Sequence, residues 1–132
     1  MTKAIVTGIA LLAFGVTMGS AAASGVHTLS VAEQQTVREA LLEQLKDPDS
    51  ARFKDFVAVT KSGDTETVCG LVNARNSYGG YSGFAPFYGL LMKAKAKSGA
   101  KVPFFWIGKI GGTAADTSIV VDMCAKDGIS IL

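Results

Sequence analysis

Apolar residues change their spacing along this chain, and each spacing marks a different kind of element. Val37, Leu41, Leu42 and Leu45 recur at helical intervals, with Glu39 and Glu43 off the stripe; this predicts an amphipathic helix. Ser30-Val-Ala-Glu33 stands just before it. That spacing matches a capping box, in which the serine and glutamate side chains each satisfy a free backbone N–H. Pro48 disfavours helical geometry at Asp47, so the helix is expected to end near Lys46. Asp47-Pro-Asp-Ser50 suits a further short turn with Pro48 at its first position. Residues 24–29 show no such pattern and read as a flexible start.

The pattern then becomes β-like. Phe56-Val-Ala-Val-Thr60 is rich in strand formers, residues 62–65 carry a turn signal, and residues 66–73 give a second strand, so an antiparallel hairpin is expected. A third strand over 87–97 would put Lys93, Lys95 and Lys97 on one face and Met92, Ala94 and Ala96 on the other. Residues 98–101 form a turn. Residues 102–107 are apolar on both faces, as in a central strand or one covered on both sides, with Pro103 at its start, where a missing N–H does least harm. Ile119, Val120, Met123 and Cys124 fit a last helix capped by Asp116 and stopped by Gly128; a strand over 118–123 competes with it. The fold class is therefore α+β: an N-terminal helix, an antiparallel sheet of roughly four strands, and a short C-terminal helix or strand.

The first residues have a different character. Lys3 is followed by residues 4–18 without charge, then by Gly-Ser-Ala-Ala-Ala, in which Ala21-x-Ala23 suits cleavage before Ser24. This is the layout of a secretory signal. The apolar run is shorter than the roughly 20 residues a membrane span needs, although a retained anchor helix is the competing reading. Cleavage after Ala23 of the 132-residue chain leaves 109 residues, 24–132, the size of one small domain. Export implies a periplasmic or secreted protein with no stable membrane span after cleavage. It also gives the two cysteines, Cys69 and Cys124, an oxidising compartment in which such a pair usually forms a disulfide; two free buried thiols are the alternative.

Charge is nearly balanced, with 13 basic and 11 acidic residues, but it is unevenly spread. Residues 67–115 contain no acid and six bases: Arg75, Lys93, Lys95, Lys97, Lys101 and Lys109. Lys93, Lys95, Lys97 and Lys109 are thus a possible basic face, suited to phosphate-rich surfaces. The competing reading is an edge strand whose lysines face water and prevent edge-to-edge aggregation. Export and a net charge near zero disfavour nucleic acid as a partner.

Five of the eleven aromatics, including all three tyrosines, lie in Tyr78-Gly-Gly-Tyr-Ser-Gly-Phe-Ala-Pro-Phe-Tyr88. Rings need packing partners and glycines let the backbone turn sharply, so this is a shaped loop. Asn73, Arg75, Asn76, Tyr78, Tyr81 and Phe84 make it the candidate interaction loop. On a purely structural reading, Tyr78, Phe84 and Phe87 cover the sheet edge while Asn73 and Asn76 bond the loop backbone. On a functional reading, Tyr78 and Tyr81 present rigid contact area to a partner.

Leu45-Lys-Asp-Pro-Asp-Ser-Ala-Arg-Phe53, followed by Val68-Cys-Gly-Leu-Val-Asn-Ala-Arg-Asn-Ser-Tyr-Gly-Gly-Tyr-Ser-Gly-Phe-Ala-Pro-Phe87, resembles a group of small exported bacterial proteins, some of them phage-associated. These share KDPxSAxF, then CGxVNAxNxxGGYxGxxPF, and often a late cysteine. The resemblance covers about a third of the chain. It implies an exported α+β domain and no particular chemistry. Many members carry an acid where Leu71 stands here, and the segment 93–101 is peculiar to this chain.

Catalytic residue types are sparse. The one histidine, His27, falls in the expected flexible start, which removes the commonest general base from any ordered pocket. Ser98-x-x-Lys101 has the spacing of a serine–lysine pair but sits in a Gly-containing turn without companion motifs. Gly108-Lys109 lacks the upstream glycine and the Ser/Thr of a phosphate-binding loop. Asp47/Asp49 and Asp64/Glu66 read as solvated caps in turn-prone segments. No catalytic, metal or cofactor site is expected. The expected function is a non-catalytic binding or structural module of the envelope. The alternative is a protein-interaction factor of inhibitor or exclusion type, and an enzyme is the third reading. The expected partner is a protein or another envelope component.

Overall fold

The computed structural model describes residues 25–132; the signal segment expected over 1–23 lies outside them. A short strand β1 (His27–Thr28) precedes helix α1 (Val31–Leu42). A single 3₁₀ turn (Pro48–Ser50) leads into β2 (Arg52–Ser62), β3 (Thr65–Asn73), β4 (Ala85–Lys95) and β5 (Lys101–Ile110). Helix α2 (Ala114–Lys126) follows. The strands form one antiparallel sheet in the order β1-β2-β3-β4-β5. The fold is α+β, with five strands instead of roughly four. The extra strand is the stretch expected to be a flexible start: His27 and Thr28 pair with Ala58 and Val57, and His27 Nε2 lies 2.9 Å from Glu66 Oε1.

The N-terminus of α1 follows from its sequence. Ser30 Oγ accepts the Glu33 N–H, and Glu33 Oε2 accepts the Ser30 N–H at 3.1 Å, the reciprocal capping box. The helix ends at Leu42, earlier than Lys46. Tighter i→i+3 bonds from Gln44 to Leu41 and from Leu45 to Leu42 carry the chain onward and keep Leu45 against the core.

The sheet separates two apolar layers. On the α1 face, Val37 and Leu41 pack against Phe56, Val68, Val72, Phe87, Leu91 and Phe105. A row of rings crosses this face, with Phe53–Phe56, Phe56–Phe87 and Phe87–Phe105 centroids 5.9, 5.8 and 6.2 Å apart. The Arg38 guanidinium lies 4.8 Å from the Phe56 ring centroid, so the helix touches the row through both apolar and cationic contacts. Glycines make room for the rings. A Cβ on Gly70 would stand 2.7 Å from Phe87, and one on Gly89 would stand 2.3 Å from Phe105 and 2.5 Å from the Trp106 carbonyl oxygen.

On the opposite face, α2 lays Val120 and Cys124 over Val59, Cys69 and Tyr88, and the returning Ile129 and Ile131 complete the layer. The helix begins at Thr113, whose hydroxyl accepts the Asp116 N–H at 3.1 Å. Asp116 therefore lies inside the first turn and does not cap it. The competing strand over 118–123 does not form. Gly128, at φ +83°, ends the helix: its N–H bonds the Ala125 carbonyl and the Ile129 N–H bonds the Cys124 carbonyl, the paired bonds of a Schellman stop. Cys69 and Cys124 form a disulfide that ties β3 to α2 across 55 residues. The chain-entropy model assigns a loop of that length about 4 kcal/mol.

Two strands differ from expectation. β4 ends at Lys95, which leaves Lys97 in the following turn, and β4 lies inside the sheet, not at its edge. β5 is an edge strand; Phe104 and Trp106 are half-exposed and lie outside the α2-face core. Among the described residues no helix is long and apolar enough to cross a membrane.

Asp127 joins three strands to the end of α2. Its Oδ2 accepts from the buried Thr67 hydroxyl at 2.8 Å and from the Tyr88 hydroxyl at 3.3 Å, while Oδ1 lies 3.0 Å from Lys61 Nζ. Burial works against the charged carboxylate, but the bonds from Thr67 and Lys61 outweigh it, and the carboxyl is held below its ordinary value. A depressed folded-state pKa contributes stability above the unfolded value, near pH 3.9 for an aspartate, and loses it as pH falls below that. Asp127→Asn should therefore remove part of the stability seen at neutral pH, and the gap from wild type should narrow as pH falls below about 4, read by urea unfolding over a pH series. A gap constant across that range would refute the assignment. Separately, Gly89→Ala should cost about 1–3 kcal/mol through overpacking in the same assay. Gly112→Ala, whose Cβ would meet nothing within 4 Å, should stay within about 0.5 kcal/mol of wild type.

Candidate functional site

Residues 74–84 leave β3 and return to β4 as a small hairpin closed by an isolated antiparallel bridge between Arg75 and Tyr81. Asn76 organises its tip. The Asn76 N–H donates to the Gly80 carbonyl at 2.9 Å, and its own carbonyl accepts from Gly79 at 3.0 Å. Its side-chain oxygen accepts from the Tyr78 and Gly80 N–H groups at 3.0 and 3.2 Å, and its amide nitrogen donates to Ser82 Oγ. Gly79, at φ +82°, supplies the left-handed turn that a side chain would strain. Tyr78, at the apex, is 98% exposed.

The base of the hairpin is fastened to the segment before β2. Ser50 is the joint: its hydroxyl donates to the Asp47 carbonyl at 2.7 Å and accepts the Arg75 N–H at 2.8 Å, and its carbonyl accepts the Tyr81 hydroxyl at 2.8 Å. Arg75 Nε also reaches Asp47 Oδ2 at 3.1 Å. Two cations lie over the rings, Arg52 at 4.4 Å from the Tyr81 centroid and Lys54 at 4.3 Å from that of Phe84. At exposed sites each such contact is worth about 0.5–1 kcal/mol. Tyr81 and Phe84, each 40% exposed, are thus partly engaged, whereas Tyr78 is not.

Asn73 stands apart from the others. It is buried at the last position of β3, and its Oδ1 makes no hydrogen bond among the described residues. Asn76 alone bonds the loop backbone. Phe87 lies in the α1-face core and covers no edge. The hairpin therefore brings together Arg75, Asn76, Tyr78, Tyr81 and Phe84. It also recruits Asp47, Ser50, Arg52 and Lys54, which the sequence alone does not single out for this role.

The lysines are not brought together. Lys93 extends to the α1 side, 3.2 Å from Glu33, and hydrogen bonding to that carboxylate raises its ammonium above the ordinary value. Lys109 pairs in register with Tyr88 on the α2 side and lies 2.8 Å from Asp116, whose carboxyl is lowered chiefly by that bond. Lys95 ends β4 and Lys97 sits in the turn. Lys101 is engaged by Asp64, while Ser98 stays in the turn. Among the described residues no three His, Cys, Asp or Glu side chains cluster as metal ligands.

No family model, curated protein or solved structure matches this chain. Tyr81→Phe deletes the hydroxyl that bonds the Ser50 carbonyl and should lower stability by about 0.5–1.5 kcal/mol. Tyr78→Ala removes only an exposed ring and should change stability by less than about 0.5 kcal/mol. Thermal unfolding of the two variants beside wild type checks both values.

Proposed function

We propose that this protein is a non-catalytic protein-binding module of the periplasm or extracellular space, exported by residues 1–23, and that the hairpin 74–84 is its contact surface. One observation carries the reading: a fully exposed tyrosine stands at the apex of a loop whose backbone is tied at nearly every turn position by Asn76. A large aromatic on a prearranged loop gains contact area while little conformational freedom is lost on binding. Arg52 and Arg75 at the base of the hairpin add further donors able to grip a partner's carbonyls or carboxylates. The disulfide supports a site of action outside the reducing cytoplasm.

The test is capture of partners from envelope extract by the immobilised mature protein, followed by mass spectrometry. Wild type should retain specific proteins, Tyr78→Ala should lose them while melting at the same temperature, and Tyr81→Phe should keep most of them. Identical capture by wild type and Tyr78→Ala would sink this reading.

A further inference from the structure

The free edge of β5 is a second surface, and it shares no residue with the hairpin. Its main-chain groups can be assigned from register. The Lys93 N–H donates to the Asp64 carbonyl in the β2–β3 turn, so the polar backbone groups of Lys93 point away from β5. Its cross-strand partner, Pro103, therefore points its own groups away from β4, toward the open edge. This is also where a proline is tolerated. The period of two carries the same orientation to Phe105 and Ile107. Their N–H and C=O groups pair with no described residue.

Edge strands are usually blunted by charges, bulges or covering elements. From Phe104 to Ile107 this one carries only large apolar residues. On the face away from α1, Val102, Phe104 and Trp106 are 49%, 54% and 50% exposed. On the other face α1 overhangs the edge, and between them lies an open groove of about 770 Å³ lined by Thr36 and Glu39 of the helix, by Glu43 and Gln44 just past its end, and by residues 104–108. Glu39 accepts a hydrogen bond from Gln35, and neither Glu39 nor Glu43 has a cationic partner within 4.0 Å among the described residues.

We propose that this groove accepts an extended segment of a partner protein, alternating basic and apolar residues, as a sixth strand along β5. The free Phe105 and Ile107 groups supply the ladder, as in other cases of strand addition. Side chains of the added strand alternate between faces. Those on the α1 side meet Glu39 and Glu43, which selects lysine or arginine; those on the other side lie beside Phe104 and Trp106, which selects apolar residues. A second copy of this chain is a poorer occupant. A two-fold antiparallel β5–β5 pairing sets both α1 helices on the same face and turns the Glu39/Glu43 flanks toward each other.

The probe is an acetylated and amidated peptide alternating lysine and valine, added to the mature, disulfide-bonded protein. The sole tryptophan, Trp106, reports binding by fluorescence, and NMR hydrogen exchange reports the Phe105 and Ile107 amides. Saturating peptide should slow exchange of both amides at least about tenfold, as expected when an open hydrogen bond becomes protected. A peptide with glutamate for lysine should not bind, and one N-methylated at the pairing amides should give no protection. The Glu39→Gln/Glu43→Gln variant, altered only at exposed positions, should bind about three- to tenfold more weakly, a difference that vanishes near 1 M salt. The proposal is overturned by absence of protection at both amides, by equal affinity for the lysine and glutamate peptides, or by concentration-dependent protection without peptide, which would give the edge to a second copy.

Discussion

Three aromatic rings lying over three strand glycines hold the middle of this sheet together. Phe87 fills the space a side chain on Gly70 would take, Phe105 that of Gly89, and Tyr88 that of Gly108. Each ring sits on a neighbouring strand, so β3, β4 and β5 are locked pairwise by shape as well as by hydrogen bonds. Phe87 is fully buried, and burying a phenylalanine contributes roughly 1.5–3 kcal/mol. The arrangement also fixes geometry. Gly108 is the extra residue at the irregularity between Tyr88 and Gly89 in the β4–β5 pairing, and such bulges bend a strand and increase its twist. On one face of this sheet α1 settles with Val37 and Leu41 buried.

The two faces are secured differently. The α1 face relies on apolar contact and on Arg38 over two rings. The α2 face has fewer large side chains and adds a covalent bond and a carboxylate hub. Cys124 is joined to Cys69 at one point of the helix, and Asp127 reaches Thr67, Tyr88 and Lys61 at its end. These two attachments lie three residues apart, so the C-terminal turn of α2 is fixed while its N-terminal half depends on Thr113 and on Lys109–Asp116. The layer thus remains narrow, and β5 extends beyond it with Phe104 and Trp106 uncovered.

Local features were legible in the sequence and non-local ones were not. The capping box, the β2–β3 turn and the helix stop at Gly128 depend on residues a few positions apart, and the cysteine pair on an even cysteine count. Alternation puts Lys93 on the α1 side, but β4 ends at Lys95 and leaves Lys97 in the turn, so the three-lysine face does not form. What escaped depends on partners distant in sequence. The Ser50 joint binds residues 25 and 31 positions away, and no periodicity signals it. A strand apolar on both faces reads as central, yet an edge strand with an uncovered face, as β5 is, has the same composition. His27 became ordered because a two-residue strand needs only a place on β2, not a hydrophobic pattern. Nothing in the sequence pairs the strand glycines at 70, 89 and 108 with the rings that fill their space.

Charge pairing gives the last constraint on what the surface can do. Lys93, Lys101, Lys109 and Arg75 belong to the acid-free segment 67–115, yet each meets a carboxylate from another part of the chain, namely Glu33, Asp64, Asp116 and Asp47. Exposed pairs of this kind add little stability, but they cancel the field that a basic face would need in order to attract polyanions. The uneven charge of the sequence is thus folded into local neutrality. Glu39 and Glu43 escape that cancellation, and they do so beside unpaired backbone groups and uncovered aromatic rings. Unmatched charge, unmatched hydrogen bonds and unmatched apolar area coincide at one edge, where a single extended segment can satisfy all three.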